Sequence, residues 1–550
     1  MVLFSKISTF VSSSYLKLLC IAIIFLLLSP IISIIFSSFE NTFSLWEHLF
    51  QTRLKFYLYN TFILMLGVGF TTFFIGVSLA WLICKYDFFM RNVLEWALLL
   101  PLALPSYIVA YCYTDFFEYS GFLQTSIREL FNFNSPNDYF FPEIRSLGGA
   151  IFVISFVLYP YIYLITKVAF KSTPSSLFEL AELNGKNQFY YVALPLAKPA
   201  IIAGLSLVLM ETVSDFGTVD FFAVETITLG IFNLWLGMNN LAGASQLALI
   251  GFFFIMILLA FELSARKKQK FNDTKIRGYN GLNQKIPIHQ NIFIFFICVI
   301  PIIFGFIIPV LILLENSISY FDIQNLYNLI LITKNSFFIS FVATVIIILT
   351  TILLTIGLKF QGFKGLGFLS TIAGIGYAFP GVILALGSLF FVSSLETSLN
   401  ALLLFLDINL NLVFIGSFYI LIFTYVCRFN AVAFGAINSG INRLPPNMVE
   451  ASLTLGNSFW YSLKKVLYPI IKPSILTAAI LTFVDIVKEL PITLLLRPLN
   501  FETLATYVYQ FASDEMLGRA SAAALIIVLI GLIPILFINN LMSIKTIKLF

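Results

Sequence analysis

Histidine is almost missing. His48 and His289 are the only two in 550 residues, and both lie near the ends of apolar runs, so a histidine metal cage is excluded by count. Cysteine is nearly as scarce. Cys20, Cys84, Cys112, Cys298 and Cys427 are scattered in or beside apolar runs without ligand-like spacing, which argues for apolar fillers rather than a metal or disulfide framework. Charge is the third shortage: 11% of residues are Asp, Glu, Lys or Arg against 59% hydrophobic, and the mean hydropathy is +0.97. A water-soluble chain of this size needs a charged surface, so the solvent for this one is membrane lipid. No Gly-x-x-x-x-Gly-Lys-Ser/Thr loop occurs, so no ATP phosphate cradle is present. With so few His and Cys and no catalytic grouping, a membrane-embedded enzyme has little support.

What the chain has in abundance is apolar runs of about twenty residues, each long enough to cross the hydrocarbon layer as a helix. They predict an all-α polytopic membrane protein of about twelve spans. Six lie in residues 1–265, near 17–37, 60–83, 92–112, 147–168, 197–214 and 244–264. Six more lie in residues 290–550, near 290–313, 335–357, 367–392, 408–427, 472–490 and 520–541. Lys6 and Lys17 before the first run resemble a signal peptide, but no small-residue cleavage pattern follows, which predicts a retained helix. Between the halves, residues 266–289 form a basic linker with Arg266, Lys267, Lys268, Lys270, Lys275, Arg277 and Lys285. By the positive-inside rule this linker is cytoplasmic, and an even number of crossings per half puts both termini there too. The net charge of +5 is explained by these loops, so no nucleic-acid partner is expected.

The halves repeat. Asn60-Thr-Phe62 corresponds to Asn335-Ser-Phe337 and Leu104-Pro105 to Phe379-Pro380, both at an offset of 275, and Pro195-Leu-Ala-Lys198-Pro199 to Pro469-Ile-Ile-Lys472-Pro473 at 274. Even span numbers make these parallel copies. After the fourth span each copy carries a short stretch headed by Ser176 or Asn447, three residues before Glu179 or Glu450, which predicts a capping box. Each stretch then meets a glycine, Gly185 or Gly456, suited to a left-handed helix stop. Beyond Gly456, residues Phe459, Trp460, Leu463, Val466 and Leu467 fall on one helical face with Lys464 and Lys465 turned away, which predicts a surface-lying helix.

Glu450-Ala451, Gly456 and Val466-Leu-Tyr-Pro469 together resemble the EAA loop of ATP-binding-cassette importer permeases. Glu179, Ala181, Gly185 and Pro195 are the corresponding residues of the first copy, which has Leu180 at the first alanine position and is shorter by three residues, close to one helical turn. The segments Asp215-Phe-Gly-Thr-Val219 to Phe232 and Lys488-Glu-Leu-Pro491 to Glu515 look like the two halves of fused ferric iron importer permeases of the type I fold. The resemblance implies a binding-protein-dependent permease subunit in a bacterial inner membrane. It would bind no cofactor of its own and would work with two copies of an ATP-hydrolysing subunit and a periplasmic substrate-binding protein. Related architectures import thiamine, polyamines or phosphonates. A rival of another class is an ion-coupled secondary transporter, which has no use for paired cytoplasmic docking loops.

Four acids stand late in the fifth and eleventh spans: Glu211 and Asp215, then Asp485 and Glu489, again at an offset of 274. A carboxylate at the centre of a membrane helix costs on the order of 3 kcal/mol, so these face protein or a cavity rather than lipid. A spacing of four puts each pair on one helix side, where they line a cation route or, alternatively, pair with Lys488 or sit in interfacial water. Tyr107 and Tyr111 are candidate oxygen ligands or interfacial anchors. Pro105, Pro160, Pro380 and Pro491 interrupt or end spans, for packing in preference to gating.

Overall fold

A computed structural model describes residues 2–267, 284–320, 322–360, 376–442 and 447–547. Most of the basic linker, Lys268 to Arg277 included, lies outside the described residues, as do Pro445 and the start of the expected ninth span. Among the described residues the regular structure is helical, and the only strand pairing is a two-residue parallel bridge between Tyr86–Asp87 and Gln284–Lys285. Among the described residues eleven helices are long and apolar enough to cross a membrane, and a bent helix pair makes twelve if it counts as one span.

The expected spans are found, with the ninth over Gly381–Phe405 instead of 367–392 and three further corrections. The third is not one helix: Arg91–Ala103 and Ser106–Phe131 meet at 90° across Leu104-Pro105. Proline fixes its own φ and bars the preceding residue from the helical region, so Leu104 is extended at ψ 126°. The tenth runs over Phe418–Ile441 instead of 408–427. Residues 408–415 are apolar but not helical, because side chains satisfy their backbone: Glu396 Oε2 accepts the Phe414 and Ile415 N–H groups at 2.7 and 3.0 Å, and Asn400 bonds both ways with Leu412. The third correction concerns Phe459 to Leu467, which is not a separate surface helix but runs on into the eleventh span, Leu463–Lys488.

Two compact units divide the chain, and neither is a contiguous half. One unit holds Met1–Asn41 with Leu326–Thr506. There the first span, Lys17–Ser37, packs on the eighth (Leu326–Lys359), ninth (Gly381–Phe405) and tenth, with Cys20, Ile24 and Leu27 buried against Leu354 and Cys427. The other unit holds Thr42–Asn325 with Tyr507–Phe550. There the seventh span, Ile288–Ser319, packs on the third and on the twelfth, Leu517–Phe537. Asn316 donates to Asp115 at 3.1 Å and Phe304 packs against Phe152 and Phe156 of the fourth span, Leu147–Ser172. All five cysteines are buried and free, as expected of fillers.

The repeat landmarks do equivalent work in each unit. Asn60 Nδ2 donates to the Glu225 carbonyl at 3.0 Å, and Asn335 Nδ2 to the Glu502 carbonyl at 3.3 Å. The next residues, Thr61 and Ser336, accept the N–H groups of Ile227 and Leu504, which open short helices. Each pair thus ties the start of one span to the loop that follows the fifth or eleventh.

Candidate functional site: two glycine-stopped elements and two capping carboxylates

The first element is the helix Ser175–Leu183 and the second Asn447–Thr454. The capping box expected at Ser176 is not formed. The helix starts one residue early behind Pro174, so Ser176 already lies inside it and no side chain caps the end. The Asn447 and Glu450 side chains lie outside the described residues. The glycine stops are as expected, with φ of +64° at Gly185 and +87° at Gly456. Each completes a double C-terminal cap. Gly185 N–H bonds Glu182 at 2.9 Å while Lys186 N–H reaches Ala181 at 2.8 Å; Gly456 bonds Leu453 at 3.0 Å and Asn457 reaches Ser452 at 3.3 Å.

Ala181 and Ser452 take the same place in this cap, with Leu180 opposite Ala451: Ala181 and Ser452 are both buried, whereas Leu180 and Ala451 are exposed. The buried face of the first element is held by Phe178, 0% exposed, whose ring joins those of Phe170 and Phe189 around Trp81. Gln188 ties the end of the turn back to Glu182 at 2.9 Å. In the second element Val449 takes the place of Phe178, and Ser462 Oγ bonds Ser452 Oγ at 2.8 Å. The other face is bare: Glu179 is exposed beside Leu180 and Leu183, the latter at 85%.

After a four-residue break each copy re-enters a helix and passes a five-residue wide turn, Phe189–Ala193 or Leu463–Leu467, which ends two residues before Pro195 or Pro469. Proline lacks the N–H and its ring clashes with the carbonyl four back, and widening the turn by one residue relieves both. The seventh span does the same at Ile303–Ile307 before Pro309, and Asn233–Gly237 forms a wide turn with no proline after it, so the wide turn is no signature of this element. The copies differ by the turn Phe459–Ser462, which is where the three additional residues go.

The four acids do not share helix faces as expected. Glu211 and Asp485 are on helices, but Asp215 and Glu489 stand just past the ends of Leu194–Ser214 and Tyr468–Lys488, in extended conformation. Each caps the short helix that follows. Asp215 Oδ1 accepts the Thr218 N–H at 2.9 Å, and Glu489 Oε1 the Ile492 N–H at 3.2 Å. Their remaining partners differ. Asp215 also accepts the hydroxyls of Ser106 and Thr218. Glu489 meets Arg428 Nη1 at 2.9 Å, both side chains 7% exposed, instead of the Lys488 the sequence suggested; Asp485 is the acidic neighbour of Lys488. Position 381 corresponds to Ser106 at the 275 offset and is glycine for a steric reason. A Cβ there would lie 2.3 Å from Arg428 Nη1 and 2.7 Å from Glu489 Oε1.

Arg428 escaped sequence reading because the tenth span was drawn too early, which left it beyond the expected membrane boundary. Its signal was a lone arginine inside Leu421-Ile-Phe-Thr-Tyr-Val-Cys-Arg-Phe. A second missed pair is Asp220 with Tyr509, whose hydroxyl donates to Asp220 Oδ2 at 2.6 Å. Burial pushes the Asp220 carboxyl above its ordinary range, and the Tyr509 hydrogen bond opposes this. Tyr107 and Tyr111 are buried among protein side chains. Among the described residues no three His, Cys, Asp or Glu side chains come together as a metal cage.

The model of binding-protein-dependent transport system inner membrane components matches residues 72–270 and again 355–543. The Fe(3+)-transport system permease protein FbpB 2 of Haemophilus influenzae is 24% identical over 510 residues, covering 90% of this chain and 91% of the relative. The ferric transport system permease protein FbpB of Actinobacillus pleuropneumoniae is 20% identical, over 80% of this chain and 64% of its own length. The molybdenum transport system permease protein ModB of Escherichia coli is 26% identical over 35% of this chain and 84% of its own. Two matches to one family, together covering more than half of the residues and one to each repeat, place the chain among the binding-protein-dependent transport system inner membrane components.

Proposed function

We propose that this chain is the two-half permease of an ATP-binding-cassette importer that moves ferric iron from a periplasmic binding protein into the cytoplasm. The observation that carries the coupling role is the duplicated glycine-stopped element, one face anchored in aromatic or aliphatic packing and the other bare. Such a rigid, half-exposed helix suits a groove on a separate ATP-hydrolysing subunit, one copy for each element. Glu179, Ala181, Gly185 and Pro195, with Glu450, Ala451, Gly456 and Pro469, are the coupling residues in this reading. The chain binds no ATP or other cofactor; the hydrolytic chemistry belongs to the partner. The basic linker and both termini face the cytoplasm, together with both elements.

Closure of two ATPase subunits on ATP pushes the elements, and these rock the spans they are continuous with between outward- and inward-open forms. Iron as cargo is supported by the full-length similarity to ferric permeases, whereas similarity to the molybdenum permease covers 35% of the chain. The carboxylates Glu211, Asp215, Asp485 and Glu489 lower the barrier to a cation in this reading, with Asp215 and Glu489 capping helices as well. The test is reconstitution in liposomes with the ATPase and binding protein. Ferric uptake that needs both partners and ATP is expected. Uptake by the permease alone on an ion gradient would make it a secondary transporter.

A further inference from the structure

The Tyr111 hydroxyl is fully buried, at 1% exposure for the residue, and has no hydrogen-bond partner among the described residues. An unmet buried hydroxyl is destabilising, a cost that phenylalanine would avoid. Its electrostatic neighbours are Tyr107, Tyr509, Asp220 and Asp215. Ring packing fixes the group: Tyr111 lies edge-on to Phe221 at 4.4 Å and beside Tyr107 at 5.8 Å, while Tyr509 packs on Phe216 at 6.1 Å. These residues surround the short helix Gly217–Phe221, which Asp215 caps. Arg145, stacked on Phe221 at 5.0 Å, is committed to Glu118 at 2.7 Å and Glu515 at 3.0 Å. The cluster therefore offers phenol and carboxylate oxygens, and the arginine beside it is already paired with acids.

We propose that Tyr111, Tyr509 and Asp220 form a transit site for a hard, highly charged cation of the Fe(III) class, with Asp215 adding negative charge beside it. The inference rests on the ferric reading and supplies residues for it. Hard cations take oxygen ligands. On ligation each phenol gives up its proton to water, and the Tyr509 hydrogen bond to Asp220 is exchanged for two bonds to the metal. One carboxylate and two phenols make an incomplete cage, as a site that must pass its cargo on requires.

The test uses the full permease reconstituted with its ATPase and binding protein, comparing wild type, Tyr111→Phe and Asp220→Asn, with Fe(III) and molybdate as probes. A merely structural Tyr111 predicts that Tyr111→Phe leaves uptake unchanged and thermal stability equal or higher. The transit site predicts equal or higher stability together with Fe(III) uptake lowered about tenfold or more, as for loss of a metal-site group. It also predicts a visible phenolate-to-iron absorption on Fe(III) addition to detergent-purified wild type that Tyr111→Phe lacks. Wild-type iron uptake and absorption matched by both variants would overturn the site and leave the ferric reading standing. Wild type that moves molybdate and no iron would overturn both.

Discussion

Arg428 and Glu489 form a pair in which each charge depends on the other. Removing one partner of a buried ion pair costs about 3–5 kcal/mol, because the survivor stays buried and uncompensated. Arg428→Ala is therefore expected to lower the melting temperature of the detergent-solubilised protein clearly, and Arg428→Met with Glu489→Leu to recover much of the loss. Tryptophan fluorescence on heating reads both, and an Arg428→Ala curve superimposed on wild type would show that the pair contributes nothing. At the equivalent carboxylate, Asp215, hydroxyls from Ser106 and Thr218 replace the arginine. Both acids cap a short helix in the structure, and the sequence shows their equivalence through the offset alone. It does not show the opposite means of satisfying them, since that depends on which neighbour has a Cβ: serine at 106, glycine at 381.

At the scale of elements, the two glycine stops were legible because a left-handed residue leaves a composition signal. The capping box was misread because Pro174 starts the helix a residue earlier. The wide turns were not legible: three stand just before a proline, which a membrane helix can meet in several ways, and Asn233–Gly237 has no proline after it. Gly185 and Gly456 give a controlled comparison, since a Cβ at either meets nothing within 4 Å. Valine at each then costs only the left-handed backbone, roughly 1–2 kcal/mol, at both sites alike. Any difference in transport reports docking. The additional turn Phe459–Ser462 lengthens the second element. Glu450→Lys and Gly456→Val are accordingly expected to cut substrate moved per ATP hydrolysed more than Glu179→Lys and Gly185→Val, measured in liposomes. Equal losses would mean that the additional turn plays no part in coupling.

For the whole molecule, the sequence halves are a repeat but not the compact units. Residues 1–265 and 290–550 were expected to be the two permease halves, and the landmarks Asn60 and Asn335 do matching work in each. Yet the first span packs with the eighth to tenth, and the seventh and twelfth pack within the unit built on the first half. Periodicity and span counting report which face of a helix is apolar and never which helix covers it, so this exchange had no sequence signal. It has a consequence for assembly. A half expressed alone lacks spans that complete its core: residues 1–265 would leave the first span without the Leu354 and Cys427 surface that buries Cys20, Ile24 and Leu27. Without a hydrophobic drive between helices in lipid, that packing loss is not recovered by solvent. Cutting the chain between Lys267 and Gln284 should therefore leave two fragments that copurify through a tag on either one and retain transport when expressed together, while each alone is degraded or aggregates in detergent. Two fragments that are separately stable and separate on size exclusion would show that the exchanged spans do not hold the molecule together.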